Sequence, residues 1–460
     1  MSQAKSVNRR HFLKKATVLA AGAVATPYFV PSSALGGVGS VSASTRITLG
    51  FIGMGSRGIY SNLKAFLQNA SVQVVAVCDV NAGNLRIGRP LSKGQTIGRE
   101  PARKIVESHY GLQETAGTYK GCTAYTDFRD VLARKDIDAV VVSPQDHWHA
   151  VIAVAAARAG KDIYCEKPLG VSVVECQAIR DAVRRYGRVF QTGTQQRSSQ
   201  MFRFACELAR NGYLGKIHTV NVGVPGPSYK REYSKPITPE PVPEWLDYEM
   251  YVGPAPMRPY NGGRIAWPDW YLISDYCVGF IVNWGVHHLD IANWGCPELT
   301  SQPCELEAKG SYRNDGFTDN INDWQAEFKY ATGLRMTFTD TNHPNKQGCQ
   351  FVGDQGWVHV NRSSISAEPQ SLLQVKIRPN ETHLYESLNH HEDFINSVSS
   401  RRDPVAPVEA GHKASYLGMI AEIAVRIGRK LKWDPAEEKF VGDPEANRLL
   451  ARPIRSPWHL

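Results

Sequence analysis

The chain of 460 residues lacks the cysteine spacing of a redox or zinc motif. Its nine cysteines (78, 122, 165, 176, 206, 277, 296, 304 and 349) are odd in number and scattered, with no C-x-x-C pair. Several stand in apolar runs such as Val77-Cys78 and Tyr164-Cys165, the setting of buried free thiols. Neither a disulfide framework nor a metal site is therefore expected. No internal repeat is apparent, so repeat architectures have no support. A long apolar run is also missing: the one near the start, from Ala16 to Val30, falls short of the roughly 20 residues a membrane span needs. With 42% hydrophobic, 10% aromatic and 21% charged residues, the composition excludes disordered, collagenous and multi-span membrane chains. The length implies two or three domains with ample core.

Charge of one sign is in modest excess, 53 Lys+Arg against 44 Asp+Glu, or +9. Taken alone, that invites a nucleic-acid or membrane-surface reading. Its distribution argues otherwise. Asn8-Arg9-Arg10-His11-Phe12-Leu13-Lys14-Lys15 precedes the apolar run, and Pro31-Ser32-Ser33-Ala34 follows it. A charged start, a short apolar stretch and small residues form an export signal, here resembling the twin-arginine pattern. Lys5, Arg9, Arg10, Lys14 and Lys15 all lie in it without a single acid, so removing these five charges from +9 leaves +4. No nucleic-acid partner is expected. The expected partner is the twin-arginine translocation machinery, which exports folded proteins with any cofactor inside, and the expected location is periplasmic or extracytoplasmic.

The expected organisation is an export signal at 1–35, a flexible leader at 36–45, a dinucleotide-binding domain at 46–193, a substrate and oligomerisation domain at 194–430, and a C-terminal extension at 431–460. Short apolar runs predict strands at 47–53, 72–78, 139–143, 162–165 and 189–193. Helices are predicted at 59–69, within 100–110, from the Thr126-Asp127 cap to 133, at 149–159 and at 172–186. This alternation implies a Rossmann-type, doubly wound parallel sheet covered on both faces. Beyond 194 the texture changes. Residues 225–272 interleave ten prolines with Trp245, Tyr248, Tyr251, Trp267, Trp270 and Tyr271, which predicts an ordered loop walling a site. Alternating runs at 324–330, 334–339 and 357–361 predict a large open, mostly antiparallel sheet, and helices at 388–399 and 409–428 close the α/β chain.

Gly53-Met54-Gly55-Ser56-Arg57-Gly58 fits G-x-G-x-x-G, follows a strand, opens a helix and precedes Asp79, 21 residues beyond Gly58. That context is the one dinucleotide binding requires. Gly53 permits the tight turn, Gly55 lets backbone N–H groups reach the pyrophosphate, and Gly58 permits close helix–strand packing, with the helix N-terminus facing the phosphates. Asp79 accepts from ribose hydroxyls and repels a 2′-phosphate, favouring NAD, while Arg57 leaves NADP open. Ser143-Pro144-Gln145-Asp146-His147-Trp148-His149 and Glu166-Lys167-Pro168 stand at the ends of later strands, where doubly wound sheets hold ligands.

Together, Gly53–Gly58, Asp79, the Pro-x-Asp-His-x-His stretch and Cys165-Glu166-Lys167-Pro168-Leu169 resemble the Gfo/Idh/MocA family, that of glucose–fructose oxidoreductase and inositol dehydrogenase. The similarity is strongest over 45–220 and continues through Gly285-Val286-His287-His288-Leu289-Asp290 and Leu431-Lys432-Trp433-Asp434-Pro435. It implies a cofactor lined by residues 53–58, Asp79, Ser143, Pro144, Asp146, His149, Glu166, Lys167, Gln195 and Gln196. It also implies that Lys167 and His287 serve a sugar or polyol hydroxyl, either one acting as base while the other polarises the oxygen. The family usually has Asp four positions before His287; here Asn283 stands there, and an amide orients a group without supplying an anion. Arg197, Tyr229, Arg231, Trp270, Tyr271 and His288 are candidate substrate residues. Adjacent His287 and His288 point apart, which disfavours a metal.

The expected activity is NAD(P)-dependent oxidation or reduction of a saccharide, polyol or sugar derivative, with the nucleotide held tightly and recycled. An NAD-dependent glycosidase (oxidation, elimination, re-reduction) and a catalytically idle nucleotide-binding protein are the competing readings, the latter motivated by Asn283. The open sheet of relatives often forms a subunit interface, so a homo-oligomer is expected.

Overall fold

The computed structural model describes residues 45–83, 95–112, 119–227, 238–313 and 317–460. The expected export signal, nearly all of the expected leader, and Tyr229 and Arg231 lie outside them. Six strands form the first sheet: β1 (Ile47–Ile52), β2 (Val72–Cys78), β3 (Thr123–Tyr125), β4 (Ala139–Val142), β5 (Asp162–Cys165) and β6 (Phe190–Thr192). Their order is β3-β2-β1-β4-β5-β6 and every pairing is parallel. β4, β5 and β6 are buried at every residue, which is why they read as continuous apolar runs without alternation. The helices follow their sequence signals. Asp127 caps Phe128–Ala133 by accepting from the Arg129 N–H, and Ser172 caps Val173–Arg185 by accepting from that of Glu175.

One local difference falls at the glycine loop. The helix predicted from 59 begins as a π-helical turn, Gly58–Leu63, and becomes α-helical only over Lys64–Leu67. The inward set still holds, with Leu63, Phe66 and Leu67 buried. Such widened turns are rare and favour functional sites.

The second sheet has nine strands: β7 (Ile217–Val224), β8 (Cys304–Tyr312), β9 (Ile321–Tyr330), β10 (Arg335–Asp340), β11 (Gly348–Gly353), β12 (Gly356–Val360), β13 (Ile365–Glu368), β14 (Leu431–Asp434) and β15 (Lys439–Phe440). They run in the order β13-β12-β11-β7-β10-β9-β8-β14-β15, antiparallel except at the parallel β7–β10 pair. Burial alternates along β9, as a sheet covered on one face requires. The helices Gly285–Gly295 and Val408–Ile427 supply that cover, the first buried at every residue. Both sheets lie within the compact unit Ile47–Leu460. One hydrophobic cluster runs between them, joining Ile52 and Val140 to Val278, Trp324 and Phe338.

A buried ion pair also joins the layers. Arg197, just after β6, donates from Nε and Nη2 to the two carboxylate oxygens of Asp290 at 2.8 and 2.7 Å. Its guanidinium lies 4.9 Å from the Trp294 ring and donates to the Val405 carbonyl. The expectation that Arg197 meets substrate is thereby corrected: its donors are committed to Asp290 and Val405 inside the fold. Arg197→Met should lower unfolding free energy by about 3–5 kcal/mol, because Asp290 is left buried and unpaired. Arg197→Met with Asp290→Leu should recover much of that loss in urea denaturation, since a packed apolar pair replaces the ions.

Candidate active site and cofactor cradle

The strand order reverses between β1 and β4, and the crevice beyond their C-terminal ends is where doubly wound sheets take ligands. Here it is a cavity of about 700 Å³. Gly53 leaves β1 at φ +89°, and a Cβ there would lie 2.3 Å from the Pro144 nitrogen, so only glycine fits. A Cβ on Gly58 would lie 2.0 Å from the Gly53 carbonyl oxygen, whereas one on Gly55 would meet nothing within 4 Å. Gly53 and Gly58 thus close the loop, and Gly55 keeps room beside its backbone. That open space, with Asp79 on the same cavity wall, fits the pyrophosphate and ribose of a dinucleotide.

Of the sequence-predicted cofactor residues, Gly53, Gly55, Ser56, Arg57, Asp79, Ser143, Pro144, Asp146, His149, Glu166, Lys167, Gln195 and Gln196 line the cavity. Gly58 and Met54 stand behind the wall. Met54 is fully buried and acts through its backbone N–H, which donates to Asp79 Oδ2 at 2.5 Å. The other Asp79 oxygen accepts from the Asn81 N–H at 2.8 Å. Burial pushes this carboxyl up to about 6, against the pull of those two N–H groups and Arg99. Arg99, which sequence reasoning missed, donates to the Asp79 carbonyl at 3.0 Å.

Arg57 is directed elsewhere. Its Nε donates to Glu166 Oε1 at 2.8 Å, and Asn62 and Gln195 donate to the same oxygen. Burial alone would raise the Glu166 carboxyl, but Arg57, Lys167 and Asn62 together hold it below its ordinary value. His149 bridges two turns, with ring nitrogens 2.5 Å from the Pro168 carbonyl and 3.2 Å from that of Pro144.

The opposite wall comes from segment 246–287. Tyr248, Tyr251, Tyr260, Trp270 and Tyr276 share a core cluster with Phe51, Phe66 and Tyr164 of the Rossmann layer. The aromatics predicted to wall a site are therefore core on one side and cavity lining on the other. Trp270 and Tyr271, stacked at 3.8 Å, both line it.

At this end Lys167, Asn283 and Asp146 form a hydrogen-bonded chain. Lys167 Nζ donates to Asn283 Oδ1 at 2.6 Å and to the Asn283 carbonyl at 2.9 Å. Asn283 Nδ2 donates to Asp146 Oδ2 at 2.9 Å, and the Cys277 thiol donates to the same oxygen at 3.1 Å. Burial lowers the Lys167 ammonium, with Asp146 and Glu166 opposing, and burial raises the Asp146 carboxyl. A carboxyl group therefore stands behind Asn283, one hydrogen bond removed and linked through it to Lys167 (a connection that the Asn283 substitution alone did not reveal). His287 lines the cavity, and its Nδ1 is buried without a partner among the described residues. Burial, then Lys167 and Arg362, holds its imidazole well below the ordinary value, so it is neutral near pH 7.

His288, a candidate substrate residue, does not line the cavity. One position along the helix it turns inward, fully buried, with Nδ1 3.2 Å from Gln196 Nε2 and its ring against Phe202. Arg362 and Trp284 were missed and both line the cavity. Arg362 comes from the β12–β13 turn and donates to Gln196 Oε1 at 2.9 Å. No local motif marks it, because only the fold of the second sheet brings it near. Among the described residues, no group of three His, Cys, Asp or Glu is arranged to hold a metal ion.

Two family descriptions match the chain: an oxidoreductase family NAD-binding Rossmann fold over residues 91–194, and the GFO_IDH_MocA C-terminal alpha/beta domain over 206–460. Among curated proteins, inositol 2-dehydrogenase of Salmonella typhimurium (strain LT2) is 29% identical over 205 residues, covering 44% of this chain and 52% of that protein. Alpha-N-acetylgalactosaminidase of Shewanella oneidensis is 29% identical over 191 residues, covering 39% of this chain and 38% of that protein. The chain thus spans about half or less of the length of these relatives. Among solved structures, aldose-aldose oxidoreductase of Caulobacter crescentus, complexed with glycerol, superposes with a TM-score of 0.58 at 19% identity, over 84% of this chain and 99% of that one. GenD2 from gentamicin A biosynthesis, in complex with NAD, gives 0.58 at 14% identity over 86% and 98%. At such identities these structures share the fold.

Two outcomes test the cradle. Gly55→Ala should fold like the parent yet bind NAD more weakly, whereas Gly58→Ala should lower the melting temperature; calorimetry and equilibrium dialysis separate them. NAD affinity should fall as pH drops through about 6, where Asp79 gains a proton and loses an acceptor. Stability should carry the opposite sign. The raised carboxyl binds its proton more tightly in the folded state, so its contribution diminishes as pH rises from about 4 to about 6. Asp79→Asn should remove both dependences.

Proposed function

Because the chain belongs to the Gfo/Idh/MocA oxidoreductase family, we propose that it is an exported enzyme that moves a hydride between a tightly held NAD and a hydroxyl-bearing carbon of a saccharide, polyol or sugar derivative. The observation that carries the reading is that Lys167 and a neutral His287 both line the cavity that also holds the glycine cradle. A bound nicotinamide supplies the hydride acceptor. The hydroxyl proton must leave as the hydride does. Lys167 uses two of its three N–H donors on Asn283; the third is left for the substrate oxygen. The His287 imidazole takes the proton, and returns it in the reverse direction. The Asp146–Asn283 chain keeps Lys167 charged as a donor despite its burial. Asp79, with both oxygens on backbone N–H groups at the cavity wall, supports NAD over NADP. Arg57, committed to Glu166, supplies no counter-argument.

Export rests on the twin-arginine stretch and on the logic of a cofactor carried out inside a folded protein. A second reading is favoured by the likeness to alpha-N-acetylgalactosaminidase of Shewanella oneidensis: the same oxidation, followed by elimination and re-reduction, would give net hydrolysis of a glycoside without consuming NAD.

Purified protein incubated with a panel of sugars and aryl glycosides, with and without added NAD⁺, distinguishes the two. Ketone and NADH formation supports the oxidoreductase, and aglycone release without net NADH supports the glycosidase. Lys167→Ala should lower kcat by about 10²–10⁴-fold; wild-type turnover by this variant would remove Lys167 from the mechanism. Asp146→Asn withdraws the anion that favours charged Lys167, so the alkaline limb of the kcat–pH profile should move to lower pH.

A further inference from the structure

Resting on the reading that this cavity takes a hydroxylated substrate, we propose that the substrate is an acidic sugar, a hexuronate or a close relative, whose carboxylate is held by Arg362. The charges on the cavity wall point to this. Arg57 is paired with Glu166 at 2.8 Å, and Lys167 is joined through Asn283 to Asp146. Arg362 has no carboxylate partner among the described residues. Although exposed, it is held in place. Its Nε donates to Gln196 Oε1 at 2.9 Å, and its guanidinium lies 5.0 Å from the Trp284 ring. Gln196 is itself anchored on the His287 carbonyl at 2.9 Å. The turn carrying Arg362 is closed by Asn361, whose Oδ1 accepts from the N–H groups of Ser363 and Ser364.

Holding a long side chain in one orientation forfeits rotamer entropy, so a guanidinium already held at a cavity wall is pre-organised. With Nε engaged, Nη1 and Nη2 remain, the fork that matches the two oxygens of a carboxylate. Asp79, the remaining acid of the wall, is held by the Met54 and Asn81 N–H groups with Arg99 nearby, so the Arg362 fork is the one offered to substrate, and its geometry matches a single carboxylate. Gln196 joins Arg362 to the backbone carbonyl of His287, and Lys167 and Arg362 line the same cavity. A group held by Arg362 therefore lies on the same side of the cavity as the proton-transfer pair, and a single pyranose ring carries both a carboxylate and oxidisable hydroxyls.

The test uses the full purified chain with saturating NAD⁺. It compares glucuronate with glucose and galacturonate with galactose, by KM and by binding measured through tryptophan fluorescence, with a sugar phosphate as a third arm. The wild type should favour at least one uronate over its neutral parent by roughly ten- to a hundredfold. Arg362→Gln should bring that ratio close to one, Arg362→Lys should keep part of it, and NAD affinity should not move. A wild-type ratio near one, a ratio that survives Arg362→Gln, a stronger preference for the phosphate, or a loss of NAD affinity in its place would each overturn the proposal. Arg362-dependent uronate binding without any NADH formation would uphold the anion site while removing the oxidoreductase reading, so the two fail separately.

Discussion

A buried ammonium must be solvated by the protein, and the active end of this molecule is arranged around that requirement at Lys167. Its partners come from three separated segments: the turn after β5 that carries Lys167, the turn after β4 that carries Asp146, and the short helix Phe280–Asn283. None of these can shift without stranding a charge or an amide in a low-dielectric interior, where an unpartnered ion costs several kcal/mol. The same chain therefore ties the Rossmann layer to the second layer and sets the position of an ammonium that lines the cavity. Cys277, donating to Asp146, extends it into the aromatic segment.

The second tie is apolar. Residues 246–277 carry enough aromatic surface to join the core on one face of the first sheet, and this converts a proline-rich connection into a wall. His147 illustrates the coupling. Its Nε2 lies 3.1 Å from the Tyr251 carbonyl, and the neighbouring Trp148 indole donates to the carbonyls of Met250 and Tyr251. Burial pushes the His147 imidazole down to about 4, so it is neutral and structural. The histidine-rich stretch after β4 thus divides its labour. Asp146 serves the polar chain, His147 and Trp148 hold the wall, and His149 clasps the Pro144 turn to the Pro168 turn.

Much of the first sheet was legible because a parallel strand buried on both faces reads as an unbroken apolar run, and because Asp127 and Ser172 announce their helices. The second sheet was legible only where alternation was clean, at β9, β10 and β12. β7 and β11 were missed: they carry glycines and part-buried positions that blur a period of two, and β7 lies parallel to β10 through a pairing of high sequence separation. Arg197 and His288 were assigned to substrate because they adjoin site residues in sequence. Side-chain direction decided otherwise, since consecutive residues on a helix diverge by about 100°, and a buried Asp290 demanded a cation.

By itself, the sequence determined the elements whose physics is local: the glycine loop that only Gly53 and Gly58 can close, the acid at the end of β2, the buried strands, and the lysine at the end of β5. Those depend on backbone sterics, burial and short spacings that a linear pattern records. Tertiary structure alone decided which polar groups meet. It placed Asp146 behind Asn283, left His287 Nδ1 without a hydrogen-bond partner among the described residues, removed Arg197 from the cavity, and brought Arg362 to Gln196 from a turn 166 residues away. The physical reason is that the stability of a charge or an amide depends on its neighbours in space, and in this fold those neighbours are supplied by two sheets that the chain forms far apart in sequence.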